Sequence, residues 1–162
     1  MSLPTKAAAT IEIAAPVGHV FDLITDVTRM GEWSPECVRC EWVDEPAVIG
    51  STFRGHNRCG LARWSTIARV LEADRPRRFA FATLDRDRIS TRWTYELIGD
   101  QQTKLTESFE SVTTPWAIGL VERWFIRDRQ AQLESGMAHT LAAIKTVAEA
   151  SERRPVTRRI GN

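Results

Sequence analysis

The chain has 162 residues and a formal net charge of +1, with 43% hydrophobic and 27% charged residues. This length and balance predict one globular domain that needs no metal ion or disulfide to hold its core together. The small net charge gives no reason to expect nucleic acid as a partner, and no apolar run approaches the ~18 residues of a membrane-spanning helix.

The first half of the chain predicts a strand, two short helices and two further strands. Pro16 is suited to open the first helix, and Pro35 prevents the second from continuing. A turn at residues 45–50 separates the two later strands. The predicted elements are a strand over 6–13, helices over 16–25 and 27–32, and strands over 38–43 and 52–58.

The second half predicts four more strands and one long helix. The strands cover residues 63–73, 78–84, 90–97 and 104–112. Apolar residues then recur at helical spacing from Leu120 to Val147, so we expect a helix over about 114–150, with Thr114 as its N-cap. The Arg-rich residues 151–162 show no periodicity and predict a disordered tail.

Seven strands in sequential hairpins predict an α+β domain over residues 1–150. We expect one curved antiparallel sheet with a solvated outer face and an inner face covered by the long helix. Alternation along each strand places the aromatic residues inside. A bulge in the third strand would instead turn Arg54, His56 and Arg58 inward and Asn57 outward, and the sequence leaves this open.

Several short motifs across residues 7–150 carry a family resemblance. They are IEIAAP (11–16), VF (20–21), ITD (24–26), EWSP (32–35), GSTFRG (50–55), ADRPRRF (73–79), TRWTYEL (91–97), TKLTES (103–108), GM (136–137) and TL (140–141). With these motifs the sequence resembles the polyketide cyclase/dehydrase and lipid transport family of the START-like (SRPBCC) superfamily. The resemblance implies a helix-grip fold, in which the sheet wraps the C-terminal helix around a deep apolar cavity. Members bind lipids, polyketides or other hydrophobic molecules, and only some of them catalyse a reaction.

Glu107 is the candidate catalytic residue. Alternation places it between Leu105 and Phe109 on the inner face, where a carboxyl group would lose solvation and hold its proton near neutral pH. A one-residue change of register would leave it in solvent. The predicted ligand-binding residues are Trp33, Asn57, Trp64, Thr66, Phe79, Phe81, Trp93, Tyr95, Phe109, Leu133, Met137 and Leu141.

Three further features of the sequence need interpretation. Trp33 and its turn would border the cavity mouth as a lid or plug the end of the core, and Gly136 would leave room in the long helix for a ligand or the sheet. The sequence also contains a set of possible zinc ligands, namely Cys37, Cys40, His56 and Cys59. Residues three apart on a strand face opposite ways, however, so we expect no metal site.

The sequence therefore predicts a cytoplasmic protein that binds a hydrophobic small molecule without a cofactor, since no signal-peptide or phosphate-loop pattern is present. The alternative is a cofactor-free polyketide cyclase, aromatase or dehydratase that uses Glu107. A third reading makes the apolar surface over 116–126 an interaction site. That surface leaves open a transient membrane contact or a homodimer.

Overall fold

The computed structural model describes residues 6–112 and 129–153. Its elements are β1 (Lys6–Ile13), α1 (Val17–Thr25), a 3₁₀ helix (Val27–Glu32), β2 (Cys37–Trp42), β3 (Thr52–Cys59), β4 (Ala62–Asp74), β5 (Arg78–Asp85), β6 (Arg88–Gly99), β7 (Thr103–Ser111) and α2 (Arg129–Glu152). The predicted order of elements is confirmed. The predicted helix start at Thr114, the surface over 116–126 and the tail after residue 153 lie outside the described residues.

The seven strands form a single antiparallel sheet in the order β1-β7-β6-β5-β4-β3-β2. Each strand from β2 to β6 pairs with the next one along the chain, as sequential hairpins require. β1 is the edge strand at the other end of the sheet. It pairs with β7 along its whole length, from Lys6 opposite Glu110 to Ile13 opposite Thr103. The sheet and its C-terminal helix confirm the predicted α+β helix-grip fold.

α2 lies against β1 and contacts α1 and β7. Its buried residues recur every three or four positions, as an amphipathic helix requires: Met137, Thr140, Leu141, Ile144 and Ala148. Two polar side chains fix the helix to the end of β1. The Lys145 ammonium donates to the Glu12 carbonyl at 2.6 Å, and the Glu149 carboxylate accepts from the Ala14 amide at 2.9 Å.

The inner face of the sheet carries the aromatic core. Phe53 and Phe81 meet edge to face with ring centroids 5.2 Å apart, and Phe79 lies 6.0 Å from Phe81. Phe79 has no exposed surface. Aromatic pairs at these separations are attractive beyond the area they bury, so these three rings stabilise this part of the inner face.

The outer face is less solvated than predicted at its centre. Ala80 and Ala82 are fully buried there, although both point away from the helix. The Arg78 guanidinium lies 2.9 Å from the Glu72 carboxylate and 3.4 Å from that of Glu96. Long charged side chains cover small neighbours with their aliphatic stems. The charged residues around the two alanines therefore serve as their cover.

Gly136 does not open the helix toward the sheet. A Cβ atom built on it would have Pro35 Cγ as its nearest neighbour, at 3.8 Å, which is an ordinary contact. The structure therefore does not support the interpretation that Gly136 makes room for the sheet, and the alternative that it makes room for a ligand stays a prediction. Within the described ranges, no helix is long and apolar enough to cross a membrane.

Candidate functional site

The candidate site is built around a buried pair on neighbouring strands. Tyr95 of β6 lies directly opposite Glu107 of β7, and both side chains point to the inner face. The Tyr95 hydroxyl donates a hydrogen bond to Glu107 Oε1 at 2.8 Å. The Glu107 side chain is only 2% exposed, and its second oxygen, Oε2, has no hydrogen-bond partner among the described residues.

Burial raises the pKa of Glu107 from 4.5 to about 7, and the Tyr95 hydrogen bond opposes part of this rise. Burial also raises the pKa of Tyr95 far above its ordinary value, and the neighbouring carboxylate adds to this. Tyr95 is therefore a neutral donor at physiological pH, while Glu107 is present in both protonation states.

The hydrogen bond also favours one oxygen of Glu107 as the site of its proton. Oε1 accepts from Tyr95, and this arrangement favours Oε2 as the oxygen that carries the acidic proton of the neutral form. That oxygen is the buried one without a partner. A neutral Glu107 thus has an unused donor, and an ionised Glu107 has an unused acceptor. A bound molecule with a carbonyl or hydroxyl group is able to satisfy either.

An aromatic pair lies in the next row of the inner face. Trp93 and Phe109 face each other across β6 and β7, with ring centroids 4.9 Å apart. Both are half-buried, whereas Tyr95 and Glu107 are buried. The inner face therefore changes from buried to half-buried between these two rows. We call the half-buried part of the inner face near Trp93 the open end.

Two polar pairs lie at the same open end. Asn57 Nδ2 donates to Thr66 Oγ1 at 3.2 Å across β3 and β4. Thr83 and Thr91, on β5 and β6, share a hydrogen bond between their hydroxyl groups. The two threonines were not predicted from the sequence. Strand alternation could have found them, because Thr83 is two residues from Phe81 and Thr91 is two residues from Trp93, and residues two apart on a strand share a face.

The remaining predicted ligand-binding residues divide between core and surface. Most of them are at most 6% exposed and belong to the packed interior: Trp33, Phe79, Phe81, Met137 and Leu141. Leu133 is half-buried on α2. Trp64 is 42% exposed and borders a surface pocket of about 450 Å³ at the β3–β4 hairpin, together with Asn57 and His56.

Trp33 packs as a plug in this structure. It is 2% exposed and belongs to the main hydrophobic cluster. Of its two alternative roles, core packing is the one that its burial supports.

The third strand keeps its favoured parity, because the bulge falls in β2 and not in β3. His56 points outward, and its ring nitrogens lie 3.2 Å from Glu41 Oε1 and 3.2 Å from Ser65 Oγ. Its strand neighbours Arg54 and Arg58 are exposed. This set forms a charged outer face and does not contact the Tyr95–Glu107 pair.

The bulge overturns one step of the sequence reasoning. Cys37 and Cys40 were expected to face opposite ways, but the register shift between Cys37 and Arg39 brings both thiols to the inner side. Their Sγ atoms are 3.2 Å apart. Cys59 is exposed on another strand, and across residues 6–112 and 129–153 no three His, Cys, Asp or Glu side chains converge on a metal position.

Replacing Tyr95 by phenylalanine should raise the pKa of Glu107 above 7. The Tyr95 hydrogen bond favours the ionised carboxylate, and burial alone would act on Glu107 without it. The pKa is measured by following the Glu107 carboxyl carbon in a ¹³C NMR titration. An unchanged or lower pKa in the variant would contradict the assigned hydrogen bond.

Comparison with known proteins shows which family the chain resembles. A family model for "Polyketide cyclase / dehydrase and lipid transport" matches residues 4–149. No curated protein matches the chain significantly. Among solved structures, the Polyketide_cyc-like protein Cgl2372 from Corynebacterium glutamicum is 32% identical over 94% of this chain and 96% of its own, with a TM-score of 0.67.

More distant structures share the fold. The Zhui aromatase/cyclase from Streptomyces sp. R1128 is 18% identical, covers 91% of this chain and 95% of its own, and has a TM-score of 0.72. A START superfamily protein from Mycobacterium smegmatis is 14% identical, with coverage of 90% and 98% and a TM-score of 0.63. From the family match and the relative with 32% identity, this chain belongs to the polyketide cyclase/dehydrase and lipid transport family.

Proposed function

We propose that the protein binds a hydrophobic small molecule that carries a carbonyl or hydroxyl group. The ligand enters at the open end of the inner face and places its polar group on Glu107. The observation that carries this proposal is the unpartnered Oε2 of Glu107, which is buried and lies one row from the open end.

The energetics favour such a ligand. A buried polar group without a partner costs about 1–3 kcal/mol, and native structures contain only a few such groups per 100 residues. A ligand that hydrogen-bonds Oε2 removes this cost. Its apolar body would gain about 25 cal/mol for each Å² buried against the rings of Trp93 and Phe109. The family name, which includes lipid transport, agrees with this class of ligand.

The first test asks whether the protein carries a ligand. The purified protein is examined by native mass spectrometry, and the bound material is extracted and identified. We expect a stoichiometric hydrophobic compound with an oxygen function. A saturated hydrocarbon chain without any polar group would contradict the role of Glu107, although it would leave the apolar site in place.

A second test uses prodan, a fluorescent naphthalene that carries one carbonyl group. We expect wild type to bind prodan with a blue-shifted emission, and Trp93→Ala to weaken binding by roughly tenfold, or about 1.4 kcal/mol, through lost ring contact. Ile98→Ala is the matched control, because Ile98 lies on the same strand and is 70% exposed. Equal binding by the two variants, together with an empty purified protein, would overturn the proposal.

The Glu107 pKa of about 7 favours one further function, proton transfer to a ligand carbonyl. A protonated Oε2 is suited to act as a general acid in an aldol cyclisation or dehydration. The similarity to an aromatase/cyclase rests on fold alone at 18% identity. Once a substrate is identified, Glu107→Gln should bind it with little change and abolish turnover. Retained turnover would exclude Glu107 from the mechanism.

A further inference from the structure

The thiols of Cys37 and Cys40 form a close pair on the edge strand β2. Their Sγ atoms are 3.2 Å apart, and the two residues are 6% and 4% exposed. The bulge between Cys37 and Arg39 creates this geometry, since two residues of β2 there oppose one residue of β3. The pair is absent from the proposed ligand-binding mechanism and is independent of it.

We propose that Cys37 and Cys40 are a reversible modification site, in which a hydroperoxide oxidises the two thiols to an intramolecular disulfide. A disulfide has an S–S distance of about 2.05 Å, so the two sulfur atoms need to approach by little more than 1 Å. A small thiol or dithiol reductant reverses the reaction by thiol–disulfide exchange.

The surroundings leave room for this movement. The neighbouring residue on β3 is Gly55, directly opposite Cys40. A Cβ atom at Gly55 would lie 3.6 Å from the Cys40 Sγ and 3.8 Å from the Cys37 Sγ, which are ordinary contact distances, and glycine leaves that position free. Cys40 therefore has no side chain opposite it on β3, while Cys37 lies opposite Asn57.

The two cysteines differ in reactivity. The hydrogen bond from Cys40 lowers the pKa of Cys37 despite its burial, while the same contact and burial raise the pKa of Cys40. A thiolate is the attacking species in thiol chemistry. Cys37 is also the more exposed of the two, at 6% against 4%, so we assign it as the first nucleophile and Cys40 as the thiol that resolves the intermediate.

The reaction balances in two steps. The Cys37 thiolate attacks one oxygen of the hydroperoxide, the O–O bond breaks, and the leaving alkoxide takes up the proton that Cys37 lost. Cys37 is then a sulfenic acid. The Cys40 sulfur attacks the Cys37 sulfur, the S–O bond breaks, and hydroxide leaves with the Cys40 proton as water. Two thiols lose two electrons, and one hydroperoxide becomes an alcohol and water.

The cysteine pair contacts a second structural element, the 3₁₀ helix. Cys40 Sγ is 3.8 Å from the Met30 sulfur in the 3₁₀ helix. In the same helix, Gly31 packs so closely on β2 that a Cβ atom would come within 2.6 Å of the Val38 carbonyl oxygen. Closing the disulfide moves Cys40 relative to this contact, so the 3₁₀ helix is the element expected to respond.

The test uses the Cys59→Ser variant, which removes the exposed thiol and keeps the pair. Folded protein is treated with hydrogen peroxide, denatured in N-ethylmaleimide, and weighed by intact mass spectrometry. We expect a species two hydrogen atoms lighter that accepts no label. After reduction with dithiothreitol, both thiols should again react with N-ethylmaleimide. Peptide mapping should find the bond between Cys37 and Cys40.

Two further variants test the order of reaction. In Cys40→Ser/Cys59→Ser, we expect dimedone to trap a sulfenic acid at Cys37. In Cys37→Ser/Cys59→Ser, we expect little trapping at Cys40. Circular dichroism confirms that each variant is folded before treatment.

Three outcomes would overturn the proposal. One is that folded Cys59→Ser protein keeps both thiols, although the same peroxide concentration forms the disulfide in protein unfolded by guanidinium. Another is oxidation of one cysteine to sulfinic acid without any disulfide. The third is a metal ion that co-purifies with the pair and blocks labelling, which would make the thiols ligands instead.

Discussion

Glu107→Gln should gain about 3 kcal/mol of stability relative to wild type as the pH rises from 4.5 to 7. The pKa of Glu107 increases on folding from 4.5 to about 7, and each pKa unit corresponds to about 1.4 kcal/mol. The folded state binds this proton more tightly than the unfolded state. The contribution of Glu107 is therefore fully present below pH 4.5, falls as the pH rises, and is absent above about 7.

Glutamine is the suitable replacement because it resembles the neutral acid and still accepts the Tyr95 hydrogen bond. It has no charge to lose, so its stability lacks this decline. Urea denaturation at several pH values measures the free energy of unfolding of both proteins. Parallel pH profiles for wild type and variant would contradict the raised pKa.

Other carboxylates do not confuse this comparison. The pKa values of Asp22 and Glu32 are lowered by hydrogen bonds from Arg75 and Arg29. Their contributions have the opposite sign, because they are present at neutral pH and lost on acidification. Both proteins contain these pairs, so the difference between the two profiles isolates Glu107.

Phe79→Ala should lower the free energy of unfolding by about 3–5 kcal/mol, the range typical of a fully buried phenylalanine. Phe79 has no exposed surface and packs beside Phe81, opposite Tyr95. Removing its ring leaves a cavity that the rigid sheet is unable to close. This loss is a large share of the 5–15 kcal/mol that stabilises a typical domain.

The measurement is again urea denaturation, with Ile98→Ala as the control. Ile98 is 70% exposed, and its truncation should change stability by no more than about 0.5 kcal/mol. Phe79→Leu provides a milder variant if the alanine protein does not fold. A loss below about 1 kcal/mol for Phe79→Ala would show that the ring borders open space, as its sequence-based prediction as a ligand contact implied.

The sequence was sufficient for the element order and for most of the inner face. Alternation in β6 and β7 placed Tyr95 and Glu107 on the same side of their strands, because side chains in a strand repeat every two residues. Proline and glycine marked the turns, since they restrict or extend the backbone locally. These signals are local, and the sequence contains them completely.

The contacts between strands required the tertiary structure. Only the pairing register shows that Tyr95 lies directly opposite Glu107 and binds one of its oxygens. The same register decides that Phe79 is closed core while Trp93 is half-buried, although both are inner aromatic residues. The burial of a side chain depends on which residues of other elements pack over it, and sequence periodicity does not predict those residues.

The cysteines show this division at one position. Alternation predicted that Cys37 and Cys40 face opposite ways, and this was wrong because one extra residue at the bulge reverses the parity. A bulge arises from how two strands fit together, and the sequence of β2 contains no local signal that predicts it. The sequence by itself therefore determined the fold, the inner face and the candidate carboxyl group. The tertiary structure decided the partner of Glu107, its unpartnered oxygen and the thiol pair, because each depends on which strand lies beside which.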